Sequence, residues 1–304
     1  MKRLVGISIG GLQRFYGDKR ALEIASEVGA DSVDFSVEYD FNDYRKEDSL
    51  YAKGENAIIE YYSALKEYAD KLGIIIGQTH GKLQGFKNIK EEDDALIENT
   101  RLDLIATKAL NAPTCVIHNA TSIFLGPNPD RKLMQDLSLD MWTRMLPYAK
   151  ETGVRIATET FGDAVKYSAV DFFGDIKEFE EAYANVKKIE EFKDYFTICV
   201  DTGHSNKAMR YGNPTPADVI RRLGSEVTVL HLNDNDTITD QHKIPKTGTI
   251  NWNDVFDALD EIGYNGIYNM ECSLHFFSKT FQIETAEFAV KMMRNILSDR
   301  YGEE

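Results

Sequence analysis

Short apolar runs alternate with longer stretches of helical periodicity along the whole chain. The runs read as strands at 4–9 (LVGISI), 32–37 (SVDFSV), 74–79 (IIIGQT), 114–118 (TCVIH), 154–159 (VRIATE), 196–201 (FTICVD), 227–232 (VTVLHL) and 266–271 (GIYNME). Several are apolar at nearly every position, as strands covered on both faces must be. Between them, residues 57–73 place Ile58, Tyr62, Leu65, Tyr68 and Leu72 on one helical face, with Gly73 as a stop. Residues 95–110 repeat such a face at Ala95, Leu102, Ile105, Ala106 and Ala109. Residues 251–264 carry a polar start and Gly263 as an end, and 284–297 read as the closing helix. Eight strand–helix pairs predict βαβ units, a parallel sheet and a single (β/α)8 TIM barrel spanning 1–304. Such a barrel takes about 250 residues, so the length leaves room for loop insertions. The long segments 119–135 and 160–175 are expected as loops on the mouth side.

Polar residues interrupt the apolar runs at one kind of place. Five of the six histidines fall at or just beyond a strand end: His80, His118, His204, His231 and His242. Glu159, Asp201, Asp240 and Glu271 fall in similar positions. In a β/α barrel these ends face one mouth, where active sites are built. Glu159, Asp201, His231 and Glu271 close strands five to eight, and neighbouring strands are about 4.8 Å apart, so the four side chains can converge. Three carboxylates and one imidazole suit Mn²⁺, Mg²⁺ or Co²⁺, with Zn²⁺ also accommodated. Taken singly, each is as well read as a buried, paired polar residue; taken together they predict one divalent metal ion. His80, His118, His204, Asp240 and His242 form a second group. They are open to three readings: further metal ligands, substrate contacts, or partners that orient the first four.

Composition narrows the partners. Lys and Arg number 35 against 50 Asp and Glu, a net charge of −15, and no basic run is visible. A nucleic-acid partner is therefore not expected. No run approaches the roughly 20 apolar residues of a membrane span, and MKRLVGISIGG reads as a first strand rather than a cleavable signal. The expected location is the cytoplasm. Cys115, Cys199 and Cys272 make no disulfide framework; the first two read as buried thiols and Cys272 as a bystander.

The motifs VIHNA, ATETFG, CVDTGHSN, VLHLND and YNMECS resemble those of the xylose-isomerase-like TIM barrel superfamily over essentially the whole chain, most specifically across 196–271. That group holds sugar and sugar-phosphate isomerases, epimerases and endonuclease-IV-type AP endonucleases. The resemblance implies one metal on Glu159, Asp201, His231 and Glu271, with His204 touching substrate. In the AP-endonuclease branch nine residues hold three zinc ions, and counterparts of all nine are present here: those four with His80, His118, His204, Asp240 and His242. The segment after strand seven departs from the usual pattern: DQHKIPKTGTINW has Gln241 for an arginine and Lys246 for the first glycine.

The expected function is a metal-dependent sugar or sugar-phosphate isomerase or epimerase. It would work by proton abstraction α to a carbonyl through a metal-stabilised enediolate, with Glu159 and Glu271 as the proton-transferring carboxylates. The alternatives are a lyase or dehydratase on the same site, an AP-endonuclease-type hydrolase, and a non-catalytic sugar-binding barrel. The partner is a small carbohydrate. Phe161, Tyr167, Phe172 and Phe173 in the 160–175 loop are read as mobile packing, a wall over substrate or a homo-oligomer contact. His275 is read as surface.

Overall fold

Eight parallel strands stand in chain order around a barrel: β1 (Val5–Ser8), β2 (Ser32–Ser36), β3 (Ile75–His80), β4 (Thr114–Ile117), β5 (Arg155–Glu159), β6 (Phe196–Asp201), β7 (Val227–His231) and β8 (Tyr268–Met270). This is a computed structural model, and it describes residues 3–38 and 42–302. Pairing runs from β8 through β1 to β7. The ring closes through Leu232, whose N–H donates to the Asn269 carbonyl at 2.9 Å and whose carbonyl accepts from the Glu271 N–H at 3.2 Å. Each strand lies within two residues of its expected bounds.

The helices are α1 (Gly10–Tyr16), α2 (Asp18–Glu27), α3 (Glu55–Lys71), α4 (Lys90–Ala109), α5 (Arg131–Thr152), α6 (Ile176–Lys187), α7 (Thr202–Ala208), α8 (Pro216–Leu223), α9 (Trp252–Glu261) and α10 (Gln282–Tyr301). In α3, Ile58, Tyr62 and Leu65 are buried as the periodicity requires, with Tyr68 and Leu72 packed at the edge. Two helices rather than one follow β1, and two follow β6. The Asp201 carboxylate caps α7, accepting the His204 N–H at 2.6 Å.

The long mouth-side segments are structured. Residues 160–175 contain a small hairpin, Asp163–Ala164 against Ala169–Val170. Buried Asp171 ties it to the neighbouring loop by accepting from Ser122 N–H and Oγ at 2.9 and 3.0 Å. Among the described residues no helix is long and apolar enough to cross a membrane.

The main apolar core lies between the strands and the helices. A second buried cluster, Val116, Ala157, Cys199 and Val229, comes from β4 to β7 and is separate from it. Side chains on one face of a strand repeat every two residues. Two positions on from these four stand His118, Glu159, Asp201 and His231. The barrel's own pleat thus stacks the polar set above a small apolar layer. Burial pushes the Cys115 and Cys199 thiols up to about 12, so both are inert.

Candidate metal centre

Glu159 sits at the centre of the mouth, with its side chain only 2% exposed. Its Oε2 lies 3.1 Å from His118 Nε2, 3.2 Å from His231 Nδ1 and 3.5 Å from His80 Nε2. Its Oε1 lies 3.2 Å from His204 Nδ1. These are ion-pair distances, yet Oε2 receives no aligned hydrogen bond. A buried carboxylate oxygen ringed by three imidazoles without a donor is an expensive arrangement unless something positive sits among them.

His231 sharpens the point. Its Nε2 lies 3.0 Å from Asp34 Oδ2, with the Gln78 amide at 3.1 Å from the same nitrogen. A carboxylate only accepts, so Nε2 carries the proton, and the Gln78 amide nitrogen, itself a donor, lies against it without a hydrogen bond. In the neutral ring Nδ1 is then a bare lone pair. It faces Glu159 Oε2 at 3.2 Å and Glu271 Oε2 at 3.3 Å, and has no hydrogen bond. Three electron-rich atoms converge on one point, which is the arrangement a cation relieves. One ligand atom from each of Glu159, Asp201, His231 and Glu271 falls within 4.8 Å of all the others. The set fits a divalent metal by donor type and by these unpaired buried atoms.

Supporting contacts hold the set in place. Asp201 Oδ2 accepts from Asn233 Nδ2 at 2.7 Å, while Oδ1 takes the α7 N–H described above. Gly203 makes this possible, because a Cβ there would stand 1.9 Å from Asn233 Oδ1. His80 Nδ1 is 3.0 Å from the Gly81 carbonyl, which turns its Nε2 toward Glu159.

The second group is brought to the same mouth. His80, His118 and Glu159 form one further close set, and Asp201, His204 and His242 another. Asp240 lies farther out, 37% exposed, 3.5 Å from His204 Nε2 and 3.9 Å from His242 Nδ1. His242 Nε2 is 3.3 Å from Glu271 Oε2. Phe161 stacks on the His204 ring and meets His118 edge-on, so it walls this side. Phe173 is buried, and the Tyr167 hydroxyl donates to the Ile123 carbonyl.

The protonation pattern follows from the crowding. Burial opposes charge on His231, but Cys199, Glu271 and Glu159 outweigh it and hold the imidazolium well above the usual histidine range. Burial is likewise outweighed at His80 and His242, which Glu159 and Glu271 respectively push up to about 9. His118 goes the other way, lowered by burial. Burial raises Asp201 to about 6. Glu159 is held well below the carboxylate range, because His231 and His118 outweigh its burial. With no other cation present, protons on histidine balance the carboxylates.

Sequence reasoning missed several residues of the site. Asp34 and Gln78 lie inside apparently apolar strands and contact His231. Lys207, buried in α7, places its ammonium 2.7 Å from Asp163 Oδ1 and 3.6 Å from Asp240 Oδ1. A carboxylate in the middle of SVDFSV was the available signal for Asp34. Beside the cluster, toward β1, β2 and β8, opens a cavity of about 280 Å³ whose wall includes Glu271, His80, His242 and Asp34. His275 also lines it, from an exposed position.

The chain has detectable relatives. It is 35% identical over 75 residues to an uncharacterized protein of Methanocaldococcus jannaschii, and 25% identical over 177 residues to one of Sinorhizobium fredii. These matches cover 24% and 58% of this chain, and only about a quarter and about half of those proteins' lengths. Among solved structures it superposes on a D-tagatose 3-epimerase-like protein with TM-score 0.71 and 20% identity, over 98% of this chain and 99% of the other. A 3-keto-D-glucoside 4-epimerase from E. coli gives TM-score 0.70 at 12% identity, over 97% and 100%. An IolI protein solved with a zinc atom gives 0.70 at 16%, over 97% of each chain. The family model described as xylose isomerase-like TIM barrel matches residues 22–296, and the chain belongs to that family.

Proposed function

We propose that this protein is a divalent-metal-dependent isomerase or epimerase acting on a keto-sugar or keto-polyol. The observation that carries the reading is the convergence of Glu159 Oε2, Glu271 Oε2 and His231 Nδ1 on one point beside an open cavity. Glu159, Asp201, His231 and Glu271 would hold the ion, which when bound supplies Lewis acidity toward a substrate carbonyl and its neighbouring hydroxyl. The carboxylate-rich donor set favours Mn²⁺, Mg²⁺ or Co²⁺ and accommodates Zn²⁺. Family membership and the epimerases among the similar folds support the reaction class.

Glu271 lines the cavity and takes the proton from the carbon α to the carbonyl, while the electron pair left behind moves onto the carbonyl oxygen. Return of a proton to the opposite face inverts the centre; return to the adjacent carbon, with the hydroxyl proton passing from one oxygen to the other, moves the carbonyl. Glu159, buried next to the cavity rather than lining it, would be the second proton-transferring carboxylate. Elimination from the same intermediate would give a lyase. Incubating the protein with free ketoses in D₂O and following the α-carbon by NMR tests the proposal. Deuterium enters that position if the reading is right. Turnover without exchange contradicts it.

A second reading is favoured by one specific observation: the two further close sets, His80–His118–Glu159 and Asp201–His204–His242, give room for more than one ion, as a phosphodiester hydrolase would need. Against it, the Lys207 ammonium already supplies positive charge beside Asp240, and the chain carries a net charge of −15. The protein is expected not to cleave an abasic-site duplex near roughly 0.15 M salt. Metal-dependent cleavage under those conditions would replace the first reading with the second.

A further inference from the structure

The outer group of ligand-type side chains carries its own counter-charge. His204 Nδ1 lies 3.0 Å from the Thr160 carbonyl, so that nitrogen carries the proton. Its Nε2 faces Asp240 Oδ2 at 3.5 Å, and His242 Nδ1 lies 3.9 Å from the same oxygen. By donor type these three atoms suit a second ion. The other oxygen of that carboxylate is already engaged. Lys207 Nζ stands 3.6 Å from Asp240 Oδ1 and 2.7 Å from Asp163 Oδ1, and the Lys207 and Asp163 side chains are each 3% exposed. Just beyond α7, Arg210 Nη1 lies 4.0 Å from Asp163 Oδ2. Two cations therefore face two carboxylates here. The inner set differs: among the described residues, Glu159, Asp201 and Glu271 have histidines as their only ion-pair partners.

We propose that Lys207 holds the mouth to one metal ion, because its ammonium takes up the charge that Asp240 would otherwise offer to a second. The proposal rests on the metal centre above and not on the carbonyl chemistry. An ion on Asp240 Oδ2 would stand across a single carboxyl group from an ammonium. That ammonium is fixed, since its stem is buried in α7 and its partner Asp163 is buried in the hairpin. Little water is present to screen the two positive charges from one another. At the inner set no Lys or Arg competes, so three carboxylates keep their charge for a cation. Spacing builds the contrast into one short helix. Asp201, His204 and Lys207 are three residues apart and lie toward one side of α7. The first gives the inner ion a ligand, and the last discharges the outer group.

The test counts ions in the full-length protein, saturated with Zn²⁺, desalted and read by elemental analysis and isothermal titration. The original protein should retain about one ion per chain. Lys207→Met alone would strand Asp163, so Asp163→Asn and Lys207→Met are combined, which removes the buried pair together. This double variant, checked for folding by circular dichroism, should retain about two ions, the second held about tenfold or more tightly than any second ion in the original protein. Adding Asp240→Asn should return the count to about one. Asp240→Asn in the otherwise original protein should leave the single ion in place, a result that does not depend on the double variant folding. Two or three ions in the original protein, one ion in the double variant, a second ion that persists without Asp240, or loss of the single ion in Asp240→Asn would each overturn the proposal. The outcome is separable from the reaction itself. One ion without α-proton exchange would defeat the isomerase reading and leave the role of Lys207 standing; exchange by an original protein holding two ions would do the reverse.

Discussion

The two sides of the barrel mouth differ in what they offer a ligand. The β3–β6 side is crowded: His80, His118 and His204 pack around Glu159, Phe161 covers the rings, and Glu159 is 2% exposed. The β8–β1–β2 side is open: Glu271 is 24% exposed and borders the cavity with Ser8, Asp34 and Ser36. Two glutamates that look equivalent in sequence, each closing a barrel strand, therefore stand in unlike surroundings. The crowded side has ligand density without room, so it suits holding charge. The open side has room beside Glu271, so it suits holding substrate. His231 joins the two, with one carboxylate from each side on Nδ1 and Asp34 behind its Nε2.

The largest expected effects fall on the two glutamates, and they separate the sides. Glu159→Gln and Glu271→Gln should each cut turnover about 10²-fold or more. Glu159→Gln should also lose most of the bound metal, because its carboxylate is the one buried among the imidazoles. Glu271→Gln should retain more. Steady-state kinetics paired with elemental analysis would read both, and equal metal loss in the two variants would erase the distinction.

Next comes the joint. Asp34→Ala leaves the His231 Nε2–H without its acceptor, and metal affinity should fall about 10–100-fold. Asp34→Asn keeps an acceptor oxygen and should fall between this variant and the original. Competition with a chelator would measure all three proteins. Identical affinities would mean that the ring is held by packing alone.

Behind the crowded side lies a carboxyl that the proposed chemistry does not use. Asp103 is fully buried, its Oδ1 accepts from the Tyr51 hydroxyl at 2.5 Å, and burial raises it from 3.8 to about 6. Between those values the folded chain holds a proton that the unfolded chain has released. Stability from this group is therefore full below about pH 4 and is lost as pH rises through about 6. Asp103→Asn should gain on the original protein by roughly 2–3 kcal/mol across that window. Urea denaturation at several pH values would show it, and a difference independent of pH would refute it.

The smallest effect concerns the rim. Lys246 occupies a left-handed backbone conformation, φ +69°, at the position where the resemblance leads one to expect glycine. Lys246→Gly should stabilise the chain by about 1 kcal/mol or be neutral, since it relieves that strain but frees the unfolded chain. A loss of stability would show that the lysine side chain does more than the backbone it strains.

Much of the barrel was legible because its signal is local. A strand buried on both faces must be apolar along its length, and the residue that breaks the run marks the mouth. Phe196–Asp201 was readable to the residue for that reason, and Glu159, Asp201 and His231 came with their strands. The remainder depends on contacts distant in sequence. Asp34 touches His231 across 197 positions, and nothing local marks it beyond a carboxylate in an apolar run. The helix after Asp201 is seven residues long and rests on its cap, too short to show a period. The hairpin in 160–175 is held by Asp171 reaching Ser122, another contact between loops. The inequality of Glu159 and Glu271 was equally invisible, because it is set by which neighbours each strand end receives.

The central claim is that one cation belongs among Glu159, Asp201, His231 and Glu271. Anomalous diffraction from crystals of the protein grown with Mn²⁺, with elemental analysis of the same preparation, tests it most directly. One dominant peak is expected within about 2.0–2.6 Å of those four side chains, close to one ion per chain, and no peak in Asp201→Ala. A strongest peak elsewhere, three equal peaks, or full metal content in Asp201→Ala would contradict it.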